Sequence, residues 1–325
     1  VNARDEGPRP PPTLADRISD ALPRFTASER RAARALLARY PTAGMDSIHA
    51  FAERAGVSAP TIVRFVAKLG FDGFADFRRA LHDESEAQAQ FPLTLATTRR
   101  DAPDEAAIAG LVRTFVQTVA DSFAHVREAE LDRFAQLVAD ARQRVSLVAG
   151  NFTDIAARHL EFHLRKMRRD VHLLPDDLWR RADALADFGR RDVLIVFDVR
   201  RYQGDVVETA RAARARGAAV VLFTDQWMSG AAEVATLVFR ARIDAPSPWD
   251  TLVGMLALVE AAALRVDRQL AAQTRTRLEA IEALRTQLGI TVADEPHRDA
   301  ASGTSGASSP PRTLTGAARA RKPRP

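Results

Sequence analysis

Three sets of residues have the types and spacing to do chemistry. In "SIHAFAERAGVSAPTIVRFVAKLGF" (47–71), Ser47, Ser58, Ala59, Pro60, Thr61, Arg64 and Lys68 combine small residues, hydroxyls and long cations around the starts of two short helices. Helix amides and a capping serine can meet phosphate, small residues permit close approach, and an arginine can reach backbone or base edges. A second set follows short apolar runs: Thr153 in "VAGNFTDIAA", Asp198, Arg200 and Arg201 in "FDVRRYQGD", and Thr224 and Ser229 in "VVLFTDQWMSGAAEVA". Arginine there can clamp a carboxylate or phosphate bidentately. The third set is His159 and His163, four apart on a helical segment. Such a pair can bind metal, but no third ligand is evident in the sequence, and surface or interface histidines are commoner. No metal, cofactor or catalytic residue is therefore assigned.

The positioning elements follow from pattern. Ile48, Phe51, Ala52 and Ala55 share a helix face, Gly56 suits a left-handed stop, and Val57 covers the turn. Ser58 is the expected cap of the next helix, with Pro60 in its first turn. Ile62, Phe65, Val66 and Leu69 face inward there, which leaves Ala59, Thr61, Arg64 and Lys68 outward. Helix, glycine turn and second helix make a helix-turn-helix arrangement, although an ordinary helical hairpin would show the same spacing. Upstream, "FTASERRAARALLARYP" reads as the first long helix of a small bundle, with Ser28 as candidate N-cap and Pro41 as the stop.

The pattern divides the chain into a disordered lead (1–13), an all-α domain (14–82), a linker (83–104), a second domain (105–270), a helical extension (271–290) and a disordered basic tail (291–325). In the second domain two amphipathic helices precede apolar, β-branched runs at 144–150, 170–175, 192–199, 218–225 and 235–242, separated by helical segments. Such runs, apolar on both faces and alternating with helices, predict a parallel sheet flanked by helices. "SPWDTL" (247–252) is expected to open the last helix, with Asp250 capping it or facing the strand ends.

Composition sets the bounds. The chain has 325 residues, 46% of them apolar, which is ample for two cores. The absence of cysteine excludes disulfides, thiolate zinc sites and a cysteine nucleophile. No apolar run approaches the ~20 residues that span a bilayer, and "VNARDEGPRPPP" lacks the apolar core of a secretion signal, so a cytoplasmic location with no membrane partner is expected. The net charge is +5 and the pI about 10.3, a weak pointer to anionic partners.

The stretch "SIHAFAERAGVSAPTIVRFVAKLGFDGFADFRRAL" closely resembles the N-terminal domain of the RpiR family of bacterial transcriptional regulators. The resemblance rests on Ser47-Ile48, Gly56-Val57-Ser58, Thr61 with Arg64-Phe65, and Leu69-Gly70-Phe71-Asp72-Gly73-Phe74. It implies that the second domain is a SIS (sugar isomerase) domain. Sugar-phosphate sites of that family use Gly-x-Gly-x-Ser after the first strand and Ser-x-Ser-Gly after a later one. Here Ala149 and Asn151 replace the glycines around Gly150, and Thr153 follows Phe152 at the serine position. Asp198 and Arg200 replace the two serines, and Arg201 the glycine. Thr224 and Ser229 match a Thr-x-x-x-x-Ser segment, with Gly230 where proline is common.

The expected ligand residues are thus Gly150, Asn151, Phe152, Thr153, Asp198, Arg200, Arg201, Thr224 and Ser229. Three readings compete: a decayed pocket in which Asp198 pairs with Arg200 or Arg201, a changed ligand, small and anionic, or a retained sugar-phosphate site, against which Asp198 would repel phosphate unless those arginines neutralise it. The expected whole is a regulator that forms a homodimer or homotetramer, reads an inverted repeat in double-stranded DNA, and senses a sugar-phosphate-like or other anionic effector. The alternatives are a SIS isomerase and a DNA-binding dimer with a purely structural SIS domain.

Overall fold

The computed structural model describes residues 12–88, 108–140, 144–245 and 249–290. The lead up to residue 11, most of the expected linker and the basic tail lie outside the described residues, whereas Thr13, expected in the disordered lead, is ordered as the cap of the first helix. Two compact units meet at Ile281/Glu282. Residues 282–290, the described part of the second, hold the end of a helix with an Arg285–Glu282 pair of 2.5 Å.

The first unit opens with five helices: α1 (Leu14–Ala21), α2 (Ala27–Ala38), α3 (Ile48–Ala55), α4 (Ala59–Lys68) and α5 (Phe74–Gln88). The first two begin with reciprocal capping boxes, Thr13 with Asp16 and Thr26 with Glu29. Thr26 therefore caps α2, and Ser28, the expected cap, sits inside the first turn. The expected left-handed stop is present at Gly56, with φ +61°. Phe65 is fully buried at the centre of the bundle, with ring centroids 5.2 Å from Phe25 and 6.3 Å from Phe51 and Phe77. Helix α5 runs to Gln88, so residues 83–88, expected as linker, are helical.

Two helices, α6 (Ile108–Phe123) and α7 (Glu128–Ala139), precede strands β1 (Val145–Ala149), β2 (Val171–Leu173), β3 (Val193–Asp198), β4 (Ala219–Asp225) and β5 (Leu237–Ala241). All pairings are parallel, in the order β2-β1-β3-β4-β5. Between the strands run α8 (Asp154–Met167), α9 (Leu178–Ala186) and α10 (Gly204–Ala215), and α11 (Val253–Gln287) closes the series. Alternate residues serve opposite faces, as the pleat requires. Val145, Leu147, Val193, Ile195, Phe197, Val221 and Phe223 pack with α7, α8 and α11. Val148, Leu194, Val196, Val220 and Leu222 pack with Val206, Ala210 and Ala213 of α10.

The two domains are joined through side chains. Met228, in the turn after β4, is buried among the core residues of the helical domain, with Val238 of β5 against the same cluster. Asp16 of α1, 3% exposed, meets Arg240 at 3.0 Å, Arg242 at 2.5 Å and His125 at 3.3 Å.

Candidate functional site

Helices α3 and α4 present one outer face. Ser47 caps α3, its hydroxyl accepting from Ala50 N at 3.2 Å. Ser58 stands at the N-cap of α4 without capping it, and its hydroxyl lies 3.0 Å from that of Thr61. The first turn of α4 lacks a side-chain cap, but Pro60 has no N–H and Thr61 N donates to Ser58 O at 2.9 Å, which leaves Ala59 N as the first-turn amide for an anion. Thr61, expected outward, is buried, because Ser58 and Arg64 (3.3 Å from its Oγ1) close over it. Arg64 is exposed, as are Ser58 and Pro60, and Ala59 is half-buried. Lys68 is exposed as expected, and its Nζ meets the buried carboxylate of Glu29 at 2.7 Å. Exposed Val63 also joins this face, an apolar side chain suited to a thymine methyl group. Its exposure follows from one step of helical phase beyond Ile62 and was there to be read in the pattern.

The second candidate site lies at the carboxyl ends of β1, β3 and β4. Thr153, expected to cap α8, instead donates to Phe197 O at 2.8 Å and accepts from Gly150 N at 3.1 Å. Thr224 donates to Asp198 O at 2.6 Å and accepts from Ser229 N at 3.0 Å. These hydroxyls stitch strand ends together below the surface. Asp198 pairs with neither arginine: it accepts from Ser229 Oγ at 2.5 Å and Gln203 N at 3.3 Å. Its burial pushes its pKa up to about 7, against those two hydrogen bonds.

Arg200 is buried and turned the other way. It stacks over Trp227 at 4.4 Å and faces Asp244 at 3.7 Å and Asp250 at 3.4 Å. Asp250 thus meets a guanidinium rather than capping α11, which starts at Val253 after Thr251. Arg201 is exposed and holds the left-handed backbone, φ +65°, that a glycine at that position would supply. Asn151 and Phe152 are exposed at the rim, and Gly150 is buried.

Two participants escaped the sequence reading. Gln203 Oε1 accepts from Asn151 N at 2.5 Å, so its carboxamide occupies the amide that an anionic ligand would use. A Cβ on Gly150 would come within 2.5 Å of that same oxygen. Asp225, fully buried, accepts from Arg200 N at 2.6 Å, Tyr202 Oη at 2.7 Å, Trp227 N at 3.0 Å and Met228 N at 3.1 Å. Burial raises its pKa to about 6 despite these donors. Asp225 therefore organises the turn whose next residues are Trp227, under Arg200, and Met228, in the helical core.

His159 and His163 gain the partner that the sequence did not show. Glu260 of α11 brings Oε1 to 2.6 Å from His159 Nε2 and 3.9 Å from His163 Nε2.

Comparison with known proteins agrees with both sites' scaffolds. The helix-turn-helix domain model of the rpiR family matches residues 13–88, and the SIS domain model matches residues 137–265. The transcriptional regulator HexR of Pseudomonas aeruginosa is 29% identical over 248 residues, covering 74% of this chain and 82% of its own. An uncharacterized HTH-type transcriptional regulator in the aarA 3' region of Providencia stuartii is 24% identical over 228 residues, covering 70% and 79%. The sugar isomerase domain of an RpiR transcription factor from Sphaerobacter thermophilus shares the fold, with a TM-score of 0.50 at 18% identity, over 54% of this chain and 97% of its own. No described helix is long and apolar enough to cross a membrane. With a glycine-turned helix pair in front and a five-stranded parallel sheet behind, the chain carries the helix-turn-helix domain of the rpiR family of transcriptional regulators followed by a SIS domain.

Proposed function

We propose that the protein is a ligand-responsive, sequence-specific DNA-binding regulator that works as a homodimer or homotetramer on an inverted repeat. Helix α4 enters the major groove with Ser58, Pro60, Val63 and Arg64 toward the DNA. The ligand is a small anion, such as a phosphorylated or carboxylated metabolite, held at the ends of β1 and β3. To bind, it displaces Gln203 Oε1 from the Asn151 amide and meets Arg201 at the rim. Because Arg200 is committed to Asp244 and Asp250, Arg201 carries the charge recognition expected of both.

The observation that carries this reading is the turn from Asp225 to Ser229. Asp225 fixes Arg200 and Tyr202 beside the candidate pocket, and Met228, three residues on, is buried in the helix-turn-helix core. A ligand with different affinity for two settings of this turn would shift the helical domain, and DNA would shift the ligand affinity reciprocally. An isomerase would need a base facing the cleft. Asp198 has a suitable pKa, but it lies 1% exposed beneath the loops with both oxygens accepting hydrogen bonds.

The test is a selection of genomic fragments by the purified protein at a stated salt concentration, since phosphate contacts make affinity salt-dependent. An enriched inverted repeat is expected. On it, Arg64→Ala should cost about 1–3 kcal/mol if Arg64 reads a base. An equal loss on random DNA assigns Arg64 to phosphate, and no enrichment with or without added anionic metabolites overturns the reading.

A further inference from the structure

Away from the strand-end pocket, α8 and α11 bring together three donors that the DNA- and ligand-binding reading leaves unused. We propose that His159, His163 and Glu260 form a binding site for a divalent transition-metal ion of the zinc class. The ligand atoms of the three all lie within 4.8 Å of one another. The two rings stand edge to face, centroids 4.7 Å apart, so that both Nε2 atoms approach one carboxylate oxygen from different directions.

Tetrahedral zinc with bonds of about 2.0–2.1 Å places its donors roughly 3.3–3.4 Å apart. The observed 2.6 and 3.9 Å from Glu260 Oε1 lie on either side of that value, so sub-ångström adjustments bring these two pairs to the metal distance. His163 Nε2 is a buried atom without a hydrogen-bond partner among the described residues, whereas its neighbour His159 is bonded to Glu260. A buried imidazole nitrogen without a hydrogen-bond partner, close to a carboxylate and a second imidazole, is placed to ligate a metal ion. Lys166 lies 3.4 Å over the Phe162 ring, on the other side of the aromatic pair.

Two imidazoles and one carboxylate favour zinc, nickel, cobalt or copper over magnesium or calcium. Three protein ligands leave one position for water or an added donor. Bound metal would replace the single His159–Glu260 hydrogen bond by three bonds between α8, whose head carries the Thr153 loop, and α11.

The test uses tag-free full-length protein stripped with a chelator, titrated with Zn²⁺ in competition with a chromophoric chelator and with Co²⁺ in visible absorption. One ion per chain is expected. His159→Ala, His163→Ala and Glu260→Ala should each weaken binding by at least the roughly 10–100-fold that loss of an outer-shell partner costs. His82→Ala, in the fully exposed His82, Asp83, Glu86 group on α5, should leave it unchanged. Metal-free melting curves identify any variant that fails to fold, and the remaining variants then decide. Wild type that binds no zinc, or zinc affinity insensitive to the folded α8 and α11 variants, overturns the site.

Discussion

At the scale of single residues, the carboxylates below the strand-end loops show how burial can reverse the usual behaviour of an aspartate. Asp198 has a pKa of about 7, whereas an unfolded aspartate titrates near about 4. Between those values the folded chain keeps a proton that the unfolded chain has released. Stability contributed by this proton is complete below the unfolded value and is lost as pH rises toward 7, at up to about 1.4 kcal/mol per pH unit. Asp198→Asn keeps an acceptor for Ser229 and removes the titration. Urea unfolding of both proteins from pH 5 to 7 should show wild type losing stability relative to the variant. Asp225 remains in both, so its own titration largely cancels in the comparison. Parallel slopes would place the proton elsewhere.

At the scale of elements, the loops after β1 and β3 are tied by Gln203, and that tie is where the proposed anion would compete with the protein. Gln203→Ala should free the Asn151 amide and raise affinity for inorganic phosphate by about 2–10-fold, the worth of one hydrogen bond of about 0.5–1.5 kcal/mol. Calorimetric titration with phosphate checks it, and unchanged or weaker binding would remove Asn151 from the ligand site. Elements governed by local pattern were legible in the sequence: the Gly56 stop and the strands, whose apolar runs had to be buried on both faces. Partners distant in sequence were not. Lys68 meets Glu29 across 39 residues. Gln203 reaches Asn151 across 52 residues, and Glu260 reaches His159 across 101. No periodicity records such meetings, which arise only when the sheet sets strand order and the helices acquire neighbours.

At the scale of the whole molecule, the Asp16 junction makes the two domains depend on each other. Burial opposes the charge on Asp16, but His125, Arg242 and Arg240 outweigh it and hold its pKa well below the usual carboxylate range. Asp16→Asn leaves both arginines, 13% and 11% exposed, without their carboxylate. Removing one partner of a buried pair costs about 3–5 kcal/mol. Met228→Ala attacks the same junction without touching a charge, at about 2–5 kcal/mol for the cavity it opens in the helical core. The tryptophans, Trp179, Trp227 and Trp249, all lie in the sheet domain, so their fluorescence reports that domain while circular dichroism at the helix band reports both. In wild type the two signals should melt together, because neither domain can leave without exposing the other's buried groups. In either variant the helix signal should begin to fall before tryptophan fluorescence changes, as the helix-turn-helix domain melts from an otherwise intact sheet. Signals already separated in wild type would show that the junction transmits little between the two domains.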